Sequence, residues 1–240
     1  MSKGYIKLAV LFLLLFYNIV EAQISEKDRI INILNKSEAF YNNTKAYSLD
    51  SRYRLYVNHT SNEIKEEYTG VTIKQDDNVY NRIATTEMIG IGKSLIKIDN
   101  KNKRIKVFRY NTSSNEMSTI KDFKNYLQYF TIVKLTENQS QWICTLETGK
   151  ISMVPFSKVV LYLKKSNYQI ERQDLFYLTK YKTRIVKGVP NYEMPRLVVS
   201  FSNFKNKVED KNCFDKSSYI KVKGGKIYPS KKYASYTIVD

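Results

Sequence analysis

Histidine is almost missing from this sequence: His59 is the one imidazole in 240 residues. Ser-His-Asp or Cys-His chemistry would have to run through it, and it sits between Asn58 and Thr60 in a turn-forming run. Histidine-based catalysis is therefore set aside. With one His, two widely separated cysteines and no Asp/Glu ladder at ligand spacing, no metal site and no cofactor is implied. Cys144 and Cys213 also lack the CxxC spacing of a redox pair. Glycine at 8 and proline at 4 are too few for a collagen-like or low-complexity chain, so a folded domain is expected. Acidic residues are short as well, 23 against 40 Lys plus Arg, which gives +17 and a pI near 9.6. Such a chain attracts anionic partners, among them nucleic acid, anionic lipid and polyanionic sugar.

The first residues narrow that choice. Lys3 and Lys7 precede an apolar run from Leu8 to Val20, and Val20-Glu21-Ala22 offers a small-residue cleavage site before Gln23. The run is shorter than the roughly 20 residues that span a bilayer. Residues 1–22 are therefore read as a cleaved signal peptide, and the mature chain as periplasmic or secreted. Nucleic acid drops out as a partner, while an anionic membrane surface stays. In an oxidising compartment Cys144 and Cys213 either pair, closing a long loop worth about 4 kcal/mol in the chain-entropy model, or remain small buried hydrophobes.

Beyond the signal, Ser25 with Asp28 reads as a helix start, and Ile30, Ile33, Leu34, Ser37 and Tyr41 keep helical spacing until Asn42-Asn43. Alternation follows. Tyr47, Leu49, Ser51, Tyr53, Leu55 and Val57 share one parity against Ser48, Asp50, Arg52 and Arg54, as in a half-buried antiparallel strand. Further strands are expected over 63–74, 79–85, 87–91, 94–99, 104–109, 131–135, 142–147, 159–164, 168–178 and 197–203. A second helix is expected over 122–130, and turns at Gly224-Gly225 and Pro229.

Gly90-Ile91-Gly92-Lys93-Ser94 imitates the end of a phosphate-binding loop. The first glycine of that motif would fall on Glu87, and Leu95 to Ile98 reads as a strand where a nucleotide site needs a helix. The string is a tight turn. Glu66, Glu67, Glu147, Glu171 and Asp174 fall on expected strands, and a pair of them could support glycoside cleavage. The lysines are dispersed through every segment, unlike the concentrated basic and aromatic surface of a nucleic-acid site.

The order of these pieces carries a family resemblance. An amphipathic helix, a Tyr/Leu strand, Gly70-Val71-Thr72-Ile73-Lys74, Val79-Tyr80-Asn81-Arg82-Ile83 and the hairpin from Met88 to Asp99 resemble the periplasmic lipoprotein-carrier (LolA-like) family. The strands Val159 to Lys164, Tyr168 to Asp174 and Val198 to Phe204 resemble its closing strands. The resemblance implies an α+β fold: an unclosed antiparallel β half-barrel of about 10–12 strands, covered by two or three helices. The half-barrel would span 23–214, with 215–240 as a C-terminal extension packing on the same domain. It further implies a non-enzymatic monomeric carrier that holds acyl chains of a lipid or lipoprotein in an apolar concavity.

Strand parity supplies the expected lining: Leu49, Tyr53, Leu55, Val71, Ile73, Ile83, Ile96, Ile98, Val107, Trp142, Leu161, Leu163, Val199 and Phe201. Arg82, next to the position of the family's lid-holding arginine, is the expected lid partner. Two other readings stay open: an interaction module for envelope proteins that has lost its lipid, and a carboxylate-based secreted hydrolase.

Overall fold

In the computed structural model, residues 25–109, 127–149, 153–186, 188–209 and 211–239 are described. The expected signal peptide and most of the expected second helix lie outside them. What is described of that helix is a 3-10 turn, Leu127–Tyr129, leading directly into a strand. Among the described residues there is one α-helix, α1 (Glu26–Asn43).

The start of α1 is set where its sequence places a cap. The Ser25 hydroxyl oxygen accepts from the Asp28 N–H at 3.1 Å and donates to the Asp28 carboxylate at 2.6 Å, with Glu26 and Asp28 in the positively polarised first turn. At the other end Thr44 N–H and Oγ1 both turn back to the Phe40 carbonyl. Lys74 Nζ donates to the Tyr41 and Thr44 carbonyls, each at 3.0 Å, so a strand lysine satisfies the end of the helix. The spacing of Ile30, Ile33, Leu34 and Ser37 puts all four on one buried face.

Sixteen strands follow among the described residues. They are β1 (Ala46–Tyr56), β2 (Ile64–Gln75), β3 (Asn78–Ile83), β4 (Thr86–Ile91), β5 (Ser94–Asp99), β6 (Arg104–Arg109), β7 (Phe130–Glu137), β8 (Gln141–Thr148), β9 (Phe156–Lys164) and β10 (Ile170–Tyr177), then β11 (Tyr181–Val186), β12 (Val189–Glu193), β13 (Arg196–Lys205), β14 (Ile220–Lys223), β15 (Lys226–Pro229) and β16 (Thr237–Val239). Twelve make one sheet in the order β16-β6-β5-β4-β3-β2-β1-β13-β10-β9-β8-β7. Its ends do not meet, so the barrel is unclosed, and every pair is antiparallel except β16 on β6. The remaining strands form two separate ribbons, β11-β12 and β14-β15. The Gly92-Lys93 turn between β4 and β5 needs its glycine, whose φ is +54°.

Register decides which side chains share a face, because directly opposed residues of an antiparallel pair point the same way. One row runs Leu135, Cys144, Leu161, Gln173, Val199, Tyr53, Tyr68 across seven strands. This is the side covered by α1: Ile30, Ile33 and Leu34 join Leu135, Cys144, Leu161 and Leu163 in one core. A second row runs Ile105, Ile98, Glu87, Arg82, Val71, Asp50, Ser202. Asp50 has the opposite parity to Leu49 and Ser51, so this row lies on the other side of the sheet. A second core forms there, with Tyr80, Ile89, Ile96, Ile98 and Ile105 packed against Tyr219, Ile220 and Tyr233 of the C-terminal segment. The apolar side of the sheet thus changes between β1 and β2, and each half has its own cover.

Gly70 marks that junction. A Cβ there would stand 2.6 Å from Ser51 Oγ and 2.7 Å from the Arg82 carbonyl oxygen. Two outcomes are expected in urea denaturation. Leu34→Ala, at a site with no exposure, lowers stability by about 2–5 kcal/mol. A chain ending at Lys211 loses the cover of Ile89, Ile96, Ile98 and Ile105 and shows dye-accessible apolar surface or aggregates, whereas an unchanged unfolding curve would contradict the two-core description.

Candidate functional site

The fourteen expected lining residues do not converge on one concavity. Register puts Leu49, Tyr53, Leu55, Ile83, Trp142, Leu161, Leu163, Val199 and Phe201 on the helix side. Val71, Ile73, Ile96, Ile98 and Val107 lie on the opposite side, in or against the core beneath the C-terminal segment. Parity within a strand groups side chains on one face, but parity alone does not say which side of the sheet that face is. Arg82 pairs in register with Val71 and Glu87, so it points away from α1 and is no lid partner to that helix.

Four of the helix-side residues are consumed by the core: Leu49, Leu161, Leu163 and Val199 are all buried. Among the described residues, apolar surface that stays partly open lies further along the same side, over β3 to β6, where α1 does not extend its core. Val79, Gly90, Leu95 and Phe108 form one cross-strand row there, flanked by Asn81, Met88, Lys97 and Lys106, and then by Ile83 and Thr86. Phe108 is 38% exposed, and Val79, Ile83, Met88 and Leu95 are half-buried. Lys106 Nζ stands 5.3 Å from the Phe108 ring centroid. Val79, Met88, Leu95 and Phe108 escaped the sequence reading. Their signal was the neighbouring pair Leu95-Ile96, since a strand apolar on both parities has both faces against something apolar.

A smaller cleft of about 130 Å³ opens between α1 and the β8–β10 end, lined by Ile33, Lys36, Trp142 and Tyr168. That is below the roughly 300 Å³ at which small-molecule sites begin. Lys36 donates to Tyr168 Oη at 3.2 Å, and Lys165 Nζ covers the Trp142 ring at 4.8 Å.

The acidic residues considered for hydrolysis are each engaged. Asp174 takes Arg172 in a bidentate pair at 2.6 and 2.7 Å, Glu147 meets Lys158, and Glu171 meets Lys164 and Gln141. Glu67 is shared by Arg52 and Arg54, and Glu66 accepts from Tyr68. His59 holds a turn, with Nε2 beside the Tyr177 carbonyl oxygen at 3.0 Å and its ring edge-on to Phe176. No group of three or more His, Cys, Asp or Glu side chains suited to a metal occurs among the described residues.

The thiols are not joined. Cys144 is fully buried in the core under α1, while Cys213 packs with the other core across the sheet, so the sheet itself separates them. Burial pushes the Cys144 thiol up to about 12. Brief treatment of the native protein with iodoacetamide near pH 8 should therefore alkylate Cys213 and leave Cys144 unmodified until the chain unfolds, as read by peptide mass spectrometry. Equal labelling of both, or a bridged peptide, would contradict this placement.

No family model matches the chain, and no curated protein matches it. Solved structures do. A LolA superfamily protein from Nitrosomonas europaea is 13% identical, over 77% of this chain and 96% of its own, with a TM-score of 0.34. An uncharacterized conserved protein from Thermus thermophilus is 10% identical over 88% and 98%, with a TM-score of 0.49. The MucA/MucB complex of Pseudomonas aeruginosa matches at 8% identity over 76% of this chain and 60% of that one, with a TM-score of 0.40. The described residues of this chain form an open antiparallel sheet laid over an N-terminal helix, the architecture expected from the sequence.

Proposed function

We propose that this chain is a non-enzymatic carrier, exported across the inner membrane, that holds acyl chains of a lipid or lipoprotein against the helix-side face of β3 to β6. The observation that carries the reading is the open row Val79, Leu95 and Phe108 with Met88 and Ile83 beside it, interleaved with Lys97 and Lys106. Apolar side chains accept methylenes, and the lysines suit the anionic or carbonyl-rich head of the same molecule. At about 0.8 kcal/mol per buried CH₂, a dozen methylenes would gain about 10 kcal/mol before ordering costs, enough to compensate for leaving a bilayer. No helix among the described residues is long and apolar enough to cross a membrane.

A second reading, an interaction module for envelope proteins, draws on the β11-β12 ribbon. Tyr181, Val189 and Tyr192 stand 47%, 65% and 55% exposed there, outside both cores.

The two are separated by uptake of a fluorescent fatty acid by delipidated protein, with native mass spectrometry of protein purified from its own host. The carrier reading expects stoichiometric acyl ligand, and about a tenfold or greater loss of probe affinity in Leu95→Lys and Met88→Glu, with Arg82→Gln unchanged. Ligand-free protein that also ignores the probe would sink it.

A further inference from the structure

The seam between the sheet and the C-terminal segment holds a cavity of about 330 Å³ on the side away from α1. It is no part of the acyl row. It is lined by Val71 and Ile73 of β2, Arg82 of β3, Glu87 of β4 and Lys232 of the 3-10 turn Lys231–Tyr233. Glu87 is 9% exposed, and its carboxylate is held by neutral donors: Tyr80 Oη at 2.9 Å and Asn100 Nδ2 at 2.8 Å. Asn100 is in turn fixed by the Tyr236 hydroxyl at 2.9 Å. Among the described residues none of Glu87, Arg82 and Lys232 makes a direct ion pair. Burial raises the Tyr80 and Tyr219 phenols well above their ordinary value, so both walls stay neutral at physiological pH. Two cations against one carboxylate leave the cavity lining with one positive charge in excess beside Val71 and Ile73, with Lys232 Nζ lying 5.0 Å from the Tyr233 ring centroid.

We propose that this cavity is a binding site for a small organic monoanion with an apolar body, an aromatic or short-chain acid. The anionic head sits between Arg82 and Lys232, which supply charge-assisted hydrogen bonds, and the body lies on Val71 and Ile73. The volume is at the low end of small-molecule sites, which excludes a nucleotide or a long acyl chain. The strongly basic chain concentrates such anions at its surface. Because Lys232 comes from the C-terminal segment and Arg82 from the sheet, an occupant would also tie the two together.

Cys213 lines the same cavity and reports on it locally. Its alkylation rate by iodoacetamide is measured with naphthalene-1-sulfonate, benzoate or octanoate at millimolar concentration, with melting temperature read in parallel. At least one of these anions is expected to slow the reaction several-fold and raise the melting temperature. Neutral naphthalene-1-sulfonamide should do neither. Arg82→Gln with Lys232→Gln, both at exposed side chains, should abolish both effects while the protein still melts cooperatively. The proposal is overturned if none of the three anions changes either readout, if the sulfonamide acts equally, or if the double variant responds like the parent. Leu95→Lys, on the opposite side of the sheet and outside the cavity lining, is expected to leave these readouts unchanged, so failure of the carrier reading and failure of this site are distinguishable.

Discussion

The structure depends on one register. Asp50 of β1 stands opposite Val71 of β2, so the parity that is polar in β1 continues, from β2 to β6, as the parity that carries the second core. A sheet apolar on one face needs one cover. This sheet needs two, because Leu161 and Ile98 are both fully buried yet face opposite ways. Helix α1 meets the first requirement, and the segment from Asn212 onward meets the second with Tyr219, Ile220 and Tyr233. The tail is therefore structural, tied by Lys216 to Ser94 and by the parallel pairing of β16 with β6.

The same register shapes function. Had all the apolar residues shared one face, α1 could have buried half of them and left the rest as a deep groove. Instead the half of the sheet with the tail behind it keeps a shallower, mixed strip in front, where Leu95 and Phe108 alternate with lysines. Under the proposed carrier reading such a strip would suit an amphiphile better than a bare hydrocarbon, because a lysine can lay its stem along apolar surface and keep its ammonium group free for a polar head. On the reverse side, the seam that results from adding a second cover is not perfectly filled, and charged groups from both partners collect in it.

Local features were legible because they are set by neighbours in sequence. Ser25 and Asp28 mark the helix start, Asn100 to Lys103 mark the β5–β6 turn, and the alternation from Tyr47 to Val57 marks β1 with its polar and apolar parities in the right order. The resemblance carried by the hairpin around Gly92 led to the correct open sheet. What was not legible is long-range. Nothing local states that Asp50 pairs with Val71, and without that pairing Ile96 and Leu161 look like lining of the same groove. The β11-β12 ribbon escaped because Pro190 interrupts its pattern, which a free-standing two-stranded ribbon tolerates, both strands being edges. Cys144 and Cys213 looked able to pair for the same reason, their separation being a property of the two cores.

Which side of the sheet holds an acyl chain is measured most directly by paramagnetic NMR. Stearate carrying a nitroxide near its methyl end is added to protein with labelled Ile, Leu, Val and Met methyl groups, and paramagnetic broadening is mapped by NMR. Broadening of Met88, Leu95, Val79 and Ile83, with Ile96, Ile98 and Ile105 sharp behind the sheet, is the predicted result. Broadening concentrated on Ile96, Ile98 and Ile105, or absent from every methyl group, would contradict it.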